Sequence, residues 1–181
     1  MITDEELMLQ AKGGDMSSVS TLFIRYHKEL YTFYYRQSKD DALSKDLVQS
    51  LFERIIKKRD KYDVRYPFKS WLFKLAWNEQ NDFYRKRKLT LPGDERMAHM
   101  LTQTDNNETD NTDDKKQRLK VAMGQLNQEQ QQLLQLTQFQ GLKYAEVADI
   151  MGCSLSAIKV RVHRTMKSLR AAYINTLNHG Y

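Results

Sequence analysis

Two groups of side chains in this 181-residue chain have the types and spacing to work on a polyanion. Near the C-terminus, Lys159, Val160, Arg161, His163, Arg164 and Lys167 fall close together, and from Ile150 onward no acidic residue accompanies the basic ones. On a helix whose Ile158 and Val162 point inward, Lys159, Val160, His163 and Arg164 point out, as they must on a helix laid in a major groove. Lys159 and Arg164 can each donate to guanine O6 or N7, and Val160 can pack on a thymine methyl. Arg161, Lys167 and Lys143 suit phosphates, which add affinity but little sequence choice. His163 on its own identifies nothing, since a single exposed histidine on a helix is ordinary surface.

The second group interleaves aromatics with cations. Tyr62, Tyr66, Phe68, Trp71, Phe73, Trp77, Phe83 and Tyr84 alternate with Lys61, Arg65, Lys69, Lys74 and the run Arg85-Lys86-Arg87-Lys88. Unstacked single-stranded bases need a π face to stack on and a positive charge for the backbone, whereas duplex readout needs no such aromatics. Trp71, Leu72, Leu75 and Ala76 recur with helical spacing and are expected in the core. That leaves Tyr62, Lys69, Phe73, Lys74, Trp77, Asn78, Asn81 and Arg85 as candidates for contact with a single strand.

Catalytic chemistry finds little support. Asp46 and Glu53, two turns apart on one helix face, would share a metal only with a third ligand or a positioned base, and neither accompanies them. Cys153 is the single cysteine, which excludes an intrachain disulfide, and no Cys/His spacing suggests zinc. No cofactor, metal or enzymatic activity is expected.

These residues need rigid supports, and the composition says which kind. Seven Gly and two Pro, Pro67 and Pro92, provide too few turns for a β or α/β chain, so the fold is expected to be all-α. The N-terminal part reads as four helices. The first runs from Glu5 to about Lys12 and is broken by Gly13-Gly14-Asp15, with Asp15 or Ser17 as the next cap. The second spans Ser18 to about Ser38, with Leu22, Tyr26, Leu30, Phe33 and Tyr34 at steps of three and four. Asp40-Asp41 opens the third, to about Lys58. Its apolar stripe is Leu43, Leu47, Leu51 and Ile55, widened by Val48, Phe52 and Ile56, and its polar face is Asp46, Gln49, Ser50, Glu53, Arg54 and Lys57. The fourth runs from about Phe68 to Lys86.

In the C-terminal part, Leu126, Leu133, Leu134 and Phe139 lie on helices ending at Gly141, a left-handed cap. A short helix follows over Tyr144 to Met151, with Val147, Ala148 and Ile150 inward. After the turn Gly152-Cys153-Ser154, a longer basic helix runs to about Ile174, completing a helix-turn-helix. Residues 102–114 contain no apolar side chain and read as a flexible acidic tether. Net charge follows the same division: +5 over residues 1–92, −6 over 93–114 and +7 over 115–181. The expected organisation is one helical domain over 1–92, a flexible acidic linker over 93–117 and a second helical domain over 118–181. A tether of this kind makes the second binding event intramolecular. The N-terminus starts with acids where a signal peptide needs Lys or Arg, and no apolar run approaches the roughly 18 residues of a membrane span, so a cytoplasmic protein without membrane insertion is expected.

The order of the motifs resembles that of extracytoplasmic-function sigma factors, the smallest class of the sigma-70 family. Glu6-Leu7-Met8-Leu9-Gln10-Ala11-Lys12-Gly13-Gly14-Asp15 looks like that family's opening, followed by its Leu22-Phe23-Ile24-Arg25-Tyr26 and Leu30-Tyr31 helix. Asp46-Leu47-Val48-Gln49-Ser50-Leu51-Phe52 resembles the segment that binds the clamp helices of the polymerase largest subunit. Trp71-Leu72-Phe73-Lys74-Leu75-Ala76-Trp77-Asn78, with Asp82 and Arg85, resembles the minus-ten reader. Gly141-Leu142-Lys143-Tyr144-Ala145-Glu146-Val147-Ala148 and Ile158-Lys159-Val160-Arg161-Val162-His163-Arg164 resemble the minus-35 reader.

The resemblance implies a factor that docks on core RNA polymerase through Asp46, Gln49, Ser50, Glu53 and Arg54, and opens promoter DNA with the aromatic group, extruding a base. It further implies that the factor holds the minus-35 duplex with the recognition helix, and that an anti-sigma factor is a further partner. The chain departs from the family pattern at Ser50 and Ser44-Lys45, where acidic character is reduced, and at Ala157 and Val160, so a promoter sequence does not transfer. Two other readings of the same residues are a dimeric helix-turn-helix regulator, which binds a palindrome without polymerase, and a metal-dependent DNA-processing enzyme using Asp46 and Glu53.

Overall fold

The computed structural model describes residues 2–90 and 111–179, which fall into two separately packed units. Among the described residues every regular element is helical, as the sparse turn chemistry requires. The expected linker from 93 to 110 lies outside the described residues.

The first unit opens with α1, Asp4–Lys12, whose start is fixed by a reciprocal cap: Thr3 Oγ1 accepts from Glu6 N at 3.2 Å and Glu6 Oε2 accepts from Thr3 N at 2.8 Å. Gly14, at φ 103°, turns the chain out of α1, and Asp15 caps α2, Met16–Ser38, by accepting from Ser17 N. Lys39 in the left-handed region ends α2, and Asp40 caps α3, Asp41–Lys58, by accepting from Leu43 N at 3.0 Å. A single 3-10 turn, Arg59–Lys61, and a short loop lead to α4, Phe68–Thr90. This helix runs past the expected end at Lys86, through a stretch of Arg and Lys that propagates helix well and suits a C-terminal dipole.

The core of this unit joins all four helices: Met8 of α1, Leu22, Leu30, Phe33 and Tyr34 of α2, Leu51 and Ile55 of α3, and Phe68, Leu72, Phe73 and Ala76 of α4 are fully buried. Phe33 and Phe73 meet edge to face at 5.4 Å, as do Tyr26 and Phe68 at 5.7 Å. On α3 the expected stripe is rotated slightly. Ser44 is fully buried while Ile56 is exposed and Leu43 is half-buried. The hydroxyl of Ser44 makes this possible by donating to the Asp40 carbonyl at 2.6 Å.

In the second unit, residues assigned above to the tether as far as 114, and to the linker as far as 117, lie in helix α5, Asn111–Gly124. The helix is held by a long-range partner that composition cannot reveal. The Arg118 guanidinium binds Asp114 one turn back at 2.8 Å and the Thr176 carbonyl, 58 residues ahead, at 3.1 Å. Next come α6, Gln128–Leu134, with an Asn127–Gln130 capping box, and a π turn over Gln135–Phe139. After Gly141, left-handed at φ 65°, α7 spans Tyr144–Met151, and Gly152, at φ 66°, turns the chain into α8, Leu155–His179. The core of this unit is Leu126, Leu133, Leu134, Leu136, Val147, Ile150, Ile158 and Val162. Phe139, expected on a packed helix, is exposed at the end of the π turn.

Candidate nucleic-acid interfaces

In the second unit, α7, the Gly152 turn and α8 form a helix-turn-helix. Glu146 Oε2 accepts from Lys143 N at 2.7 Å and fixes the start of α7, while Ser154 Oγ accepts from Ala157 N at 3.2 Å and fixes the start of α8. Ile158, Val162 and Thr165 point into the unit, which turns Lys159, Val160, His163, Arg164 and Lys167 outward, all exposed. Lys143 is exposed at the N-terminal edge of α7. Arg161 is also exposed, but its guanidinium is held at 2.6 Å by Glu129 of α6. Glu129 lies 32 residues away in sequence, so local spacing gave no sign of it.

In the first unit the candidates separate. Lys74, Trp77, Asn78, Asn81 and Arg85 recur at helical spacing along one stripe of α4, with Asn78 and Arg85 exposed and the others half-buried. Arg85 also pairs with Asp82 at 3.0 Å. Lys69 binds Glu29 of α2 at 2.6 Å and stands 5.8 Å over the Phe73 ring, so its charge is partly committed within the unit. Tyr62 and Phe73 correct the sequence reading. Tyr62 is 2% exposed and Phe73 is 0% exposed, so neither ring is presented to a base.

Phe73 fills the space against Phe33, and Tyr62 packs on Phe68 and Trp71 with its hydroxyl donating to the Tyr66 carbonyl at 2.8 Å. That bond braces the loop and leaves Tyr66 itself 62% exposed, beside Val64 at 46%. The Asp63 carboxylate stabilises the same loop by binding Arg65 through side-chain and backbone donors, which hold its carboxyl down at about 2. Trp71, expected in the core, is half-buried.

On α3, Asp46, Gln49, Ser50 and Glu53 are exposed and Arg54 is half-buried. Gln49 Nε2 donates to Glu53 Oε1 at 3.4 Å, and the Ser50 hydroxyl turns inward to the carboxylate of Glu79 on α4. Beside this face a groove of about 780 Å³ opens between α2 and α3, floored by Phe23, Tyr31 and Val48 and edged by Lys28, Lys45 and Gln49. Among the described residues no group of three His, Cys, Asp or Glu side chains is arranged to hold a metal ion, and no helix is long and apolar enough to cross a membrane.

Both units match known families on the elements just described. Residues 22–90 match Sigma-70 region 2 and residues 116–169 match Sigma-70 region 4. This chain belongs to the sigma-70 family. Among its curated relatives, RNA polymerase sigma factor YlaC of Bacillus subtilis is 25% identical over 165 residues, which is 84% of this chain and 90% of the relative. The ECF RNA polymerase sigma factor SigM of the same organism is 27% identical over 161 residues, 89% of this chain and 98% of the relative. Among solved structures, the sigma factor RpoE of Bartonella quintana, in complex with the anti-sigma factor NepR, superposes with a TM-score of 0.68 at 23% identity, over 90% of this chain and 98% of that one. The chain is thus an extracytoplasmic-function sigma factor acting in transcription initiation, a binding factor built on two small helical domains.

Proposed function

We propose that this sigma factor divides its work between the two units, the first docking on core RNA polymerase and opening the minus-ten element, the second holding the minus-35 element as duplex. The domains are 1–92 and 118–181, joined by the acidic linker over 93–117, whose last residues are helical in α5. The observation that carries the reading is that α4 and α8 each bury one stripe in their own unit, Phe68, Leu72, Phe73 and Ala76 in one and Ile158, Val162 and Thr165 in the other, and turn a separate stripe rich in cations and amides outward.

On α8, Lys159, Val160, His163 and Arg164 face base edges, while Lys143, Arg161 and Lys167 face phosphates. On α4, Trp77, Asn78, Asn81 and Arg85 meet the upstream part of the minus-ten strand, with Lys69 and Lys74 near its backbone. Tyr66, on the exposed loop beside Val64, takes over the stacking role that Tyr62 and Phe73 are too buried to perform. Extruding a base costs a few kcal/mol of unstacking, which loop and polymerase contacts offset together.

Polymerase docks through Asp46, Gln49, Ser50, Glu53 and Arg54. The adjoining groove of about 780 Å³ suits a helix of the clamp of the largest subunit, because its floor is apolar and its edge is cationic and amide-bearing. An anti-sigma factor that covers these faces is the regulatory partner, and the site of action is the cytoplasm, where polymerase works.

The division of labour is tested with holoenzyme on a promoter that depends on both elements. Lys159→Ala or Arg164→Ala weakens minus-35 binding, each by about 1–3 kcal/mol for a lost base contact, and leaves opening of a pre-bound promoter unchanged. Asn78→Ala slows opening and leaves minus-35 binding intact. Equal losses at both steps from either change would contradict the reading.

A further inference from the structure

Glu79 is a charged side chain in an expensive place. It is 6% exposed, it directly follows Asn78 on α4, and its carboxylate receives hydroxyl donors from two other helices. Ser50 Oγ of α3 donates to Oε1, and Tyr34 Oη of α2 donates to Oε2 at 3.2 Å. Burial first, and then the neighbouring Glu79 carboxylate, push the Tyr34 hydroxyl well above its ordinary value, so it remains a donor. Arg54, one turn beyond Ser50 on α3, is near enough to act electrostatically on the same cluster.

Removing a carboxylate from water is costly, and an apolar residue of similar volume often packs at such a place with equal or greater stability. One role such a group can have is to fix the register of the elements it joins. Here it joins three helices at once. On the functional reading given above, its two ends have different duties. Ser50 stands on the α3 face assigned to polymerase, and Asn78 stands on the α4 face assigned to the promoter.

We propose that Glu79 is a positioning residue that couples the polymerase-facing surface of α3 to the promoter-reading face of α4, an inference that rests on those two assignments. The Ser50 hydroxyl sets the Glu79 carboxylate. The carboxylate in turn sets the rotation of α4 about its axis, and with it the direction in which Asn78 and Trp77 point. Contact with polymerase around Ser50 therefore bears directly on how α4 is presented to DNA, through one buried hydrogen-bonded bolt.

The test uses the full chain with core polymerase and reads three quantities: affinity for core, rate of promoter opening and thermal midpoint. Glu79→Leu lowers the thermal midpoint, because it leaves the buried Tyr34 hydroxyl without its acceptor, but stays folded at the assay temperature, binds core within about threefold of the unaltered protein and opens promoters at least tenfold more slowly. Ser50→Ala, which removes the donor to Glu79 and also trims the docking face, gives an opening defect measured on saturated holoenzyme that exceeds any loss of core affinity, and Ser50→Thr, which restores the hydroxyl, relieves it. Combining Ser50→Ala with Glu79→Leu is no worse than the worse single change, because both remove the same bolt.

Opening at the ordinary rate by Ser50→Ala and Glu79→Leu overturns the proposal. So do losses that multiply in the double variant, or losses of core affinity that parallel the opening defect. If Asn78→Ala also opens promoters at the ordinary rate, the assignment of α4 to the promoter fails, and the coupling falls with it. If Asn78→Ala is defective while Ser50→Ala is not, the coupling alone is wrong.

Discussion

Replacing Gln80 with methionine should stabilise the first domain. Gln80 is fully buried on α4, and neither its Nε2 nor its Oε1 has a hydrogen-bond partner in the protein. A buried amide without partners costs about 1–3 kcal/mol in proteins. Methionine has nearly the same length and a comparable helix propensity, so Gln80→Met removes the polar atoms without opening a cavity or straining the helix.

The gain expected is about 1–2 kcal/mol, allowing for imperfect repacking. With a urea m-value of roughly 1–3 kcal/mol per molar for a domain of this size, the midpoint moves up by about 0.3–2 M at unchanged slope. The assay is direct, because the chain's two tryptophans, Trp71 and Trp77, both lie on α4 and their emission reports this domain within the full chain. An unchanged or lowered midpoint at constant slope would show that the amide is satisfied in solution and that the reasoning from its burial is wrong.

Other perturbations follow from single contacts. The Arg161–Glu129 pair is exposed on both sides and is worth no more than about 1 kcal/mol, so Glu129→Gln costs little stability and frees Arg161 for phosphate. Holoenzyme carrying Glu129→Gln should bind minus-35 duplex about two- to fivefold more tightly, with a log-log salt slope steeper by about one. Anisotropy titrations at several salt concentrations check both numbers, and weaker binding would place Glu129 on the DNA side as a contact. The Asp63 carboxyl lies at about 2, below the ordinary carboxylate range, because Arg65 hydrogen-bonds its charged form. A depressed folded value means that the loop contact is complete above the ordinary range and is lost only as pH falls towards 2. A carbon-detected NMR titration of Asp63 should show that midpoint and should return to the ordinary range in Arg65→Ala, whereas a midpoint near 4 in the unaltered protein would contradict the contact.

What was legible in the sequence followed the range of the interactions involved. The starts of α2, α3 and α8 and the end of α7 were readable because Asp15, Asp40, Ser154 and Gly152 act within three residues of their own helix, and hydrophobic period placed Leu47, Leu51, Ile55, Ile158 and Val162 correctly. Helix α5 was not readable, since an acidic, polar stretch is helical there through Arg118 and its bond to a carbonyl 58 residues ahead. Among candidate site residues, the outward face of α8 followed from its inward one.

The aromatic group misled at Tyr62 and Phe73 because composition places rings near cations without saying which rings the core takes. Phe33 claims Phe73, and the loop claims Tyr62 while releasing Tyr66. Glu79 was passed over because a glutamate at a helical position reads as solvated surface, and its partners Tyr34 and Ser50 lie 45 and 29 residues away.

The central claim is that this chain directs core RNA polymerase to promoters and opens them. The measurement that tests it most directly is runoff transcription from a genomic promoter library by core polymerase, with and without the full chain. The account predicts transcripts from a discrete set of promoters only when the chain is present, and no tight promoter binding by the chain alone. Absence of stimulation across the library, or tight binding to a palindrome by the chain as a dimer without polymerase, would contradict it.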